Sequence, residues 1–393
     1  MDKRENFFIS ILSDHINKRK TNPVSDIDWG EISTWAHNHQ VEGIVYYQCR
    51  EFMPDNVMNL FQLHYLTTIV SYKKREQVLR EIGDAFQHSD IQHLTIKGMN
   101  LANYYPFPPL RTMGDLDILI HKDDKGKAKI ALETIGAKNV EDNPDYDWTF
   151  WYKNVFLELH HSLLYEEIVT VDKQARFFNN YWQYVKDGVL DSSFHFLYLL
   201  VHLRKHLMNK GAGFRMFMDI AVMAQKKPNM DWGWIENKLL ELDLLKFARV
   251  CFALIERWFG VYVPLEIPKL DELFLEKATQ KIIADGVFGF QNPNNQGNSA
   301  VNELASNGRV DLSARLRMIM RKLFPSYKSM ENSPYYHFVR GKVWLLPIAW
   351  GYRILRLLTH QTESVDTIMG RVMTSKQVID AREMELREWG LLD

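Results

Sequence analysis

Cysteine is scarce in this sequence, which has only Cys49 and Cys251 among its 393 residues. Two cysteines argue against a disulfide framework, and we expect the reducing environment of the cytoplasm. Long apolar runs are also missing. Because no stretch of about 18 uninterrupted apolar residues occurs, we expect no membrane span. The first residues mix charges of both signs without a long apolar segment, so we expect no signal peptide.

A large excess of charge of either sign is absent as well. The 48 Lys and Arg residues are balanced by 49 Asp and Glu residues, which leaves a net charge of −1. This balance gives no overall electrostatic attraction to nucleic acid. The content of 46% hydrophobic and 25% charged residues is that of a globular protein. The length allows a large core and two or more sub-domains.

Two acids lie in an otherwise apolar run, where Asp115 and Asp117 alternate with Leu116 and Ile118. On a β-strand, side chains alternate between the two faces, so both acids point one way and the apolar residues point into a core. Like charges on one face repel each other, and the arrangement becomes tolerable when a cation lies between them. Hard divalent cations such as Mg²⁺ prefer such oxygen ligands. A solvated strand end before a turn is the structural alternative.

Other candidate residues surround this pair in the sequence. Lys97 and Gly98 follow a short apolar run, which predicts a strand-to-helix turn whose backbone N–H groups face an anion. Arg111 follows a proline-rich turn that limits its backbone freedom. Glu158 lies on a later strand-like run and shares a face with His160. For His160 we favour hydrogen bonding beside an acid over metal ligation, because the region offers too few ligands for a zinc site.

The motif set IKG, an arginine, DLDILI and FLELH resembles the nucleotidyltransferases of the DNA polymerase β superfamily. More narrowly, it is similar to the uncharacterised bacterial nucleotidyltransferase family. The resemblance implies that Asp115 and Asp117 are the metal-binding pair and that Glu158 is the third catalytic carboxylate. It also implies two Mg²⁺ ions, or Mn²⁺ in their place, and a nucleoside triphosphate as substrate. Lys97 and Gly98 stand where the wider superfamily has a Gly-Ser turn.

A histidine-rich segment follows further along the chain. We predict a helix over 193–210 that carries His202 and His206, followed by a glycine break and then Arg215 and Asp219. The resemblance implies that this cluster covers the active site and that His202 and Arg215 contact the nucleotide, as Lys97, Gly98 and Arg111 do. A buried ion pair between Arg215 and Asp219, at helical spacing, is the structural alternative.

The periodicity predicts an α+β combination of a few strands with many helices. The resemblance implies that the strands form a small mixed β-sheet, the nucleotidyltransferase core, embedded in a mainly helical protein. We expect strands near 94–96, 115–120, 148–152 and 155–160, and a long helix over 57–86 that caps the sheet. The predicted regions are an N-terminal helical region at 1–89, a nucleotidyltransferase-like α/β core at 90–165, a helical domain at 166–290, a polar linker at 291–308 and a C-terminal helical region at 309–393.

One stretch of the C-terminal region, 332–362, contains no Asp or Glu but combines basic residues with tryptophan and aliphatic residues. A basic amphipathic segment of this kind can lie on an anionic membrane surface without inserting stably. The alternative is a core helix whose basic residues are solvated or face an acidic partner.

Two functions remain open from the sequence. The first is an enzyme that moves a nucleoside monophosphate from a triphosphate to a hydroxyl-bearing acceptor, with release of pyrophosphate. The acceptor would be a small molecule, a protein or an RNA. The second is a nucleotide-binding or scaffolding protein that has lost turnover, as the altered Gly-Ser turn suggests. A joint effect of Mg²⁺ and triphosphate on thermal stability would separate a nucleotide site from an inert scaffold.

Overall fold

The computed structural model describes residues 2–142, 147–164, 172–209, 211–227, 229–287, 289, 320, 323–327, 330, 336–359 and 376–392. The chain divides into two compact units, Met1–Pro293 and Asn294–Asp393. The predicted linker at 291–308 lies outside the described residues. The first unit contains the sheet and the candidate site.

The described part of the chain confirms the predicted α+β class, because a small mixed sheet is set among many helices. The helices of the first unit are α1 Lys3–Ile16, α2 Trp29–His39, α3 Glu42–Cys49, α4 Asp55–His88, α5 Gly98–Ala102, α6 Lys125–Thr134, α7 Asp172–Asn179, α8 Ser192–Asn209, α9 Phe214–Lys226, α10 Trp232–Glu241, α11 Leu245–Phe259 and α12 Glu272–Asp285. The strands are β1 His93–Thr95, β2 Asp115–Ile120, β3 Lys138–Asp142, β4 Asp147–Tyr152, β5 Val155–His160, β6 Val185–Lys186 and β7 Val189–Leu190. The second unit contains α13 Leu346–Thr359 and α14 Lys376–Glu388.

The main sheet has the order β1-β2-β5-β4-β3, and only β2 and β5 pair in parallel. Their alternate residues, among them Leu116 and Leu157, are buried in a core with residues of α4 and α6. Period-two alternation therefore turns the acids of β2 and β5 toward the opposite face. Helices α8 and α9 pack together on the side that holds these acids.

Strands β4 and β5 form the predicted hairpin. Its turn residues, Lys153 and Asn154, both have positive φ, at 48° and 56°. This is the conformation of a two-residue turn whose twist matches that of the flanking strands. The edge strand β3 was not predicted, because its sequence KNVED lacks the alternation of a half-buried strand.

The long helix α4 is present, but the packing of its first half differs from the prediction. The helical spacing of Leu60, Leu63 and Val70 predicts that these residues form one packed stripe, yet each is half exposed or more. The helix instead packs through a stripe that includes Phe61 and, closer to its end, Phe86. A 34-residue helix is much longer than the sheet beneath it, so only part of its length has a core to cover.

Close backbone contacts hold α9 against the N-terminal helices. A Cβ atom added at Gly213, just before α9, would lie 2.7 Å from the carbonyl oxygen of Gly286 and 2.8 Å from Nδ1 of His39. The backbone N–H of Val287 also donates to the carbonyl of Asn38 over 2.9 Å. Glycine at position 213 thus permits three segments to meet without a side chain between them.

In the second unit, the apolar residues of the predicted segment 332–362 whose burial the structure describes are divided between core and surface. Val339 and Ala349 are buried in a small core, whereas Trp344 and Ile348 are largely exposed. Peripheral membrane contact through this segment stays a prediction. Within the described ranges, no helix combines the length and apolar character needed to cross a bilayer.

Candidate functional site

A cavity of about 360 Å³ lies over the acid-bearing face of β2 and β5. It is lined by the turn after β1, by the loop before β2, by β2 and β5, and by α8 and α9. The lining includes every residue that the sequence analysis assigned to the site, namely Lys97, Gly98, Arg111, Asp115, Asp117, Glu158, His202 and Arg215.

The parallel pairing of β2 with β5 brings the three carboxylates together. Asp117 lies directly opposite Glu158 in the register of the two strands, and Asp115 lies opposite Phe156. Because Asp115 and Asp117 are two residues apart, they share the face that Glu158 also occupies. The forty-residue separation in sequence is closed by the crossover through α6, β3 and β4.

Asp117 is the most enclosed of the three acids, and it already has two partners. Its Oδ1 lies 2.5 Å from Nζ of Lys97 and 2.9 Å from Nε2 of His160. Burial alone would raise the pKa of Asp117, but the Lys97 ammonium and the His160 hydrogen bond lower it below the usual range. The repulsion expected between the two acids is therefore relieved within the chain itself, by a lysine.

Asp115 differs from its neighbour in charge environment. Burial raises the pKa of Asp115, the nearby Asp117 carboxylate raises it further, and the Lys97 ammonium only partly opposes both effects. The two acids of one strand are thus unlike: Asp117 is held as an anion, whereas Asp115 takes up a proton more readily than a free aspartate.

His160 is buried between two acids, as the sequence analysis favoured. Its Nε2 lies 2.9 Å from Asp117 and 3.3 Å from Oε2 of Glu158. Burial lowers the pKa of His160, but hydrogen bonding to Asp117 and Glu158 outweighs burial and raises it to about 9. One ligand atom from each of these three residues lies within 4.8 Å of the others, so His160 also has the placement of a metal ligand.

Lys97 reaches Asp117 from an unusual backbone conformation. Its φ of 52° and ψ of −128° lie in a backbone region that residues other than glycine rarely adopt. Such a residue costs about 1–3 kcal/mol and persists where the surroundings determine it. Helix α5 begins at the next residue and has only five residues. Its dipole is therefore small, and an anion at this turn would be attracted mainly by the Lys97 ammonium.

Arg111 forms a buried ion pair that the sequence did not reveal. Its Nε and Nη2 donate to the two oxygens of Asp219 over 2.8 and 2.7 Å, and the hydroxyl of Tyr105 donates to the same carboxylate over 2.7 Å. Asp219 thus pairs with Arg111 from the loop before β2 rather than serving mainly as the helical partner of Arg215. The pair ties α9 to that loop at the edge of the cavity.

Arg215 links α9 to two other segments. Its Nη1 donates to Oε1 of Gln40 over 3.1 Å and to the carbonyl of Thr112 over 3.0 Å. Burial lowers the pKa of Arg215 to about 10, and the nearby Arg111 guanidinium lowers it in the same direction. Gln40, which ends α2 in a left-handed conformation with φ 54°, was not predicted, because no motif marks it in the sequence.

Two histidines of α8 line the far side of the cavity. The rings of His202 and His206 lie 4.6 Å apart, and Lys205 lies between them in sequence. Burial holds the pKa of His202 well below its usual value, and the positive charge of Lys97 lowers it further. His202 is therefore neutral at physiological pH and offers both a donor and an acceptor nitrogen.

Carboxylates on neighbouring parallel strands meet beside a strand-to-helix turn in an α+β fold, which is the arrangement that the sequence resemblance implied. The chain belongs to a family described as uncharacterised nucleotidyltransferases, whose model matches residues 25–260. That match contains the main sheet and every residue named above as lining the cavity. No curated protein and no solved structure gives a significant match to the chain.

Proposed function

We propose that the chain is a metal-dependent nucleotidyltransferase that moves a nucleoside monophosphate from a triphosphate to a hydroxyl-bearing acceptor and releases pyrophosphate. The observation that carries this proposal is the meeting of Asp115, Asp117 and Glu158 in one cavity. Membership of a nucleotidyltransferase family supports the general reaction.

The donor set suits Mg²⁺ or Mn²⁺. Three carboxylates face one cavity, and those of Asp117 and Glu158 belong to a cluster whose ligand atoms lie within 4.8 Å of one another. Hard divalent ions prefer such oxygens. Bound there, two ions would neutralise charge on the attacking and leaving oxygens, as in polymerase-type reactions.

Residues of the chain itself would accept the proton of the acceptor and contact the nucleotide. Glu158 is partly exposed to the cavity, so its carboxylate can accept the proton of the acceptor hydroxyl. Lys97 pairs with Asp117 in the free chain, and we propose that its ammonium turns to the β- and γ-phosphates when a triphosphate enters. Neutral His202 and the Arg215 guanidinium would contact the base or the phosphates from α8 and α9.

The sequence resemblance implied that Arg111 contacts the nucleotide, but here we propose a positioning role for it. Two of its nitrogens are committed to Asp219, so we assign it to positioning the loop before β2. A guanidinium held in this way still contributes positive charge beside the cavity. Both oxygens of Asp219 accept from Arg111, and this two-point pairing of a planar guanidinium makes Arg111 a weaker candidate for direct phosphate contact than the Lys97 ammonium, which ends a flexible side chain.

Two observations favour the second candidate, a nucleotide-binding protein without turnover. An oxygen of Asp117 is occupied by Lys97, and the turn at Lys97 and Gly98 lacks the serine hydroxyl of the wider superfamily. In that case the cavity would bind triphosphate with a divalent ion but transfer nothing.

The test is transfer of label from each of the four nucleoside triphosphates, carrying radioactive α-phosphate, to acceptors in a cell extract with Mg²⁺ or Mn²⁺. The wild-type chain should transfer label, and Asp115→Asn should not. Asp123→Asn is the matched control, because this exposed acid lies outside the cavity and should leave transfer unchanged.

Equal transfer by Asp115→Asn and the wild-type chain would contradict the carboxylate mechanism. Absence of transfer, together with a joint stabilising effect of Mg²⁺ and triphosphate on thermal unfolding, would support the inactive alternative.

A further inference from the structure

A second cluster of metal-ligating side chains lies in the N-terminal helices, among residues for which the proposed transfer reaction has no use. His37 lies in the last turn of α2, Glu42 begins α3, and His64 lies in α4. We propose that these three residues bind a divalent transition-metal ion of the zinc class, with solvent in the remaining coordination position.

The distances fit a shared ion. Nδ1 of His37 lies 2.9 Å from Oε1 of Glu42, and Nδ1 of His64 lies 3.7 Å from the same oxygen. All three ligand atoms lie within 4.8 Å of one another. Ligand atoms on a tetrahedral zinc ion, with bonds of about 2.0–2.2 Å, are about 3.3–3.6 Å apart. Small side-chain movements would therefore bring the three atoms to coordination distance.

Hydrogen bonding explains only part of this arrangement. The His37–Glu42 contact is a hydrogen bond, but His64 points a nitrogen at the same oxygen from beyond hydrogen-bond distance. Two imidazoles converging on one carboxylate oxygen is the arrangement expected of ligands that surround an ion. Two nitrogens and one oxygen also form the donor set of zinc sites that keep an open position.

Exposure and charge are consistent with an ion that reaches the site from solvent. The Glu42 side chain is only 10% exposed, whereas those of His37 and His64 are 70% and 37% exposed. The carboxylate thus forms the enclosed base of the site, and the imidazoles form its open rim. An ion there would add positive charge beside a largely buried anion.

A metal ion at this site would stabilise the turn between α2 and α3, and this turn contacts residues of the candidate active site. Gln40 lies between His37 and Glu42 in sequence, and its side chain and carbonyl accept hydrogen bonds from Arg215 and Thr112 over 3.1 and 2.7 Å. An ion that links α2, α3 and α4 would fix the turn that carries Gln40. The metal site itself stands independently of the nucleotidyl-transfer proposal.

The test is a Co²⁺ titration of the untagged full chain, followed by the visible absorption of the bound ion and by displacement with Zn²⁺. Millimolar Mg²⁺ is present throughout, so that hard oxygen ligands in the cavity are occupied. We expect one equivalent of Co²⁺ to bind and Zn²⁺ to displace it. Loss of even an outer-shell partner weakens metal sites about 10- to 100-fold, so His37→Gln and His64→Gln should weaken binding about 100-fold or more.

His88→Gln is the matched control, because His88 also lies on α4, in its exposed last turn, and the change is chemically identical. It should bind Co²⁺ as the wild-type chain does. His37 is exposed enough for its replacement to leave the fold intact, which far-ultraviolet circular dichroism would verify. Equal binding by His37→Gln and the wild-type chain would overturn the proposal. Loss of the signal in Glu158→Gln but not in His37→Gln would also overturn it, because the ion would then lie in the cavity.

Discussion

The ion pair between Arg111 and Asp219 permits a sharp test of how the loop before β2 is held in place. In Asp219→Asn the side chain keeps its size but loses its charge. The amide oxygen can still accept one hydrogen bond from Arg111, whereas the carboxylate accepts two from Arg111 and a third from Tyr105. A buried guanidinium would then remain without the negative charge that it contacts directly.

The expected loss in the free energy of unfolding follows from the burial of both partners, since the side chains of Arg111 and Asp219 are only 7% and 8% exposed. Removing one member of a buried pair typically destabilises a protein by about 3–5 kcal/mol. Because asparagine keeps one acceptor, we expect a loss near the lower end, about 3 kcal/mol. Urea unfolding followed by circular dichroism should show a clearly lower midpoint with little change in slope.

Glu241→Gln provides the matched control for this experiment. Glu241 pairs with Lys238 over 2.6 Å, but its side chain is 60% exposed. Exposed pairs of this kind contribute about 0–1 kcal/mol, so the midpoint should barely move. If Asp219→Asn were no less stable than Glu241→Gln, the Arg111 pair would not hold this region together and our account of the loop would be wrong.

Three further predictions concern other parts of the first unit. Gly213→Ala places a Cβ 2.7 Å from the carbonyl oxygen of Gly286 and should lower the thermal midpoint markedly. In the control Gly126→Ala, the added Cβ lies in open space on α6, so the midpoint should stay the same or rise. Burial lowers the pKa of His15 and of His39 to about 4, so the unfolded chain binds protons first as the pH falls below 6.5. Each of these two histidines should therefore stabilise the folded chain by about 2 kcal/mol more at neutral pH than at pH 5, and a flat urea midpoint over that range would contradict this. Lys97→Ala should weaken binding of a non-hydrolysable triphosphate with Mg²⁺ and slow transfer, and unchanged affinity and rate would remove Lys97 from the phosphate site.

The sequence predicted the carboxylate site because strand periodicity is strict. Once Leu116 and Ile118 face the core, Asp115 and Asp117 have no other face to occupy, and the same reasoning places Glu158. The hairpin turn was predictable for a similar local reason, since asparagine tolerates positive φ. The meeting of the two acid-bearing strands required the family resemblance, because periodicity alone does not define strand order.

Long-range pairings between polar residues were beyond the sequence. Arg111 and Asp219 are 108 residues apart, and nothing local distinguishes their contact from the pairing of Arg215 with Asp219 at helical spacing. Nothing local distinguishes the ion pair of Lys97 with Asp117 from a lysine that ends its strand in solvent. The cluster of His37, Glu42 and His64 was not foreseen, because its members lie on three helices whose packing no spacing rule describes.

The most direct test of the account is equilibrium binding of Mn²⁺ to the free chain and to its complex with a non-hydrolysable triphosphate, followed by electron paramagnetic resonance. His37→Gln serves as the background chain, so that only the cavity is observed. We predict that triphosphate strengthens Mn²⁺ binding and that adding Glu158→Gln weakens it about tenfold or more, whereas Glu133→Gln, at an exposed acid outside the cavity, has no effect. Equal Mn²⁺ binding with and without Glu158→Gln would contradict the claim that these carboxylates form the metal site of a nucleotidyltransferase.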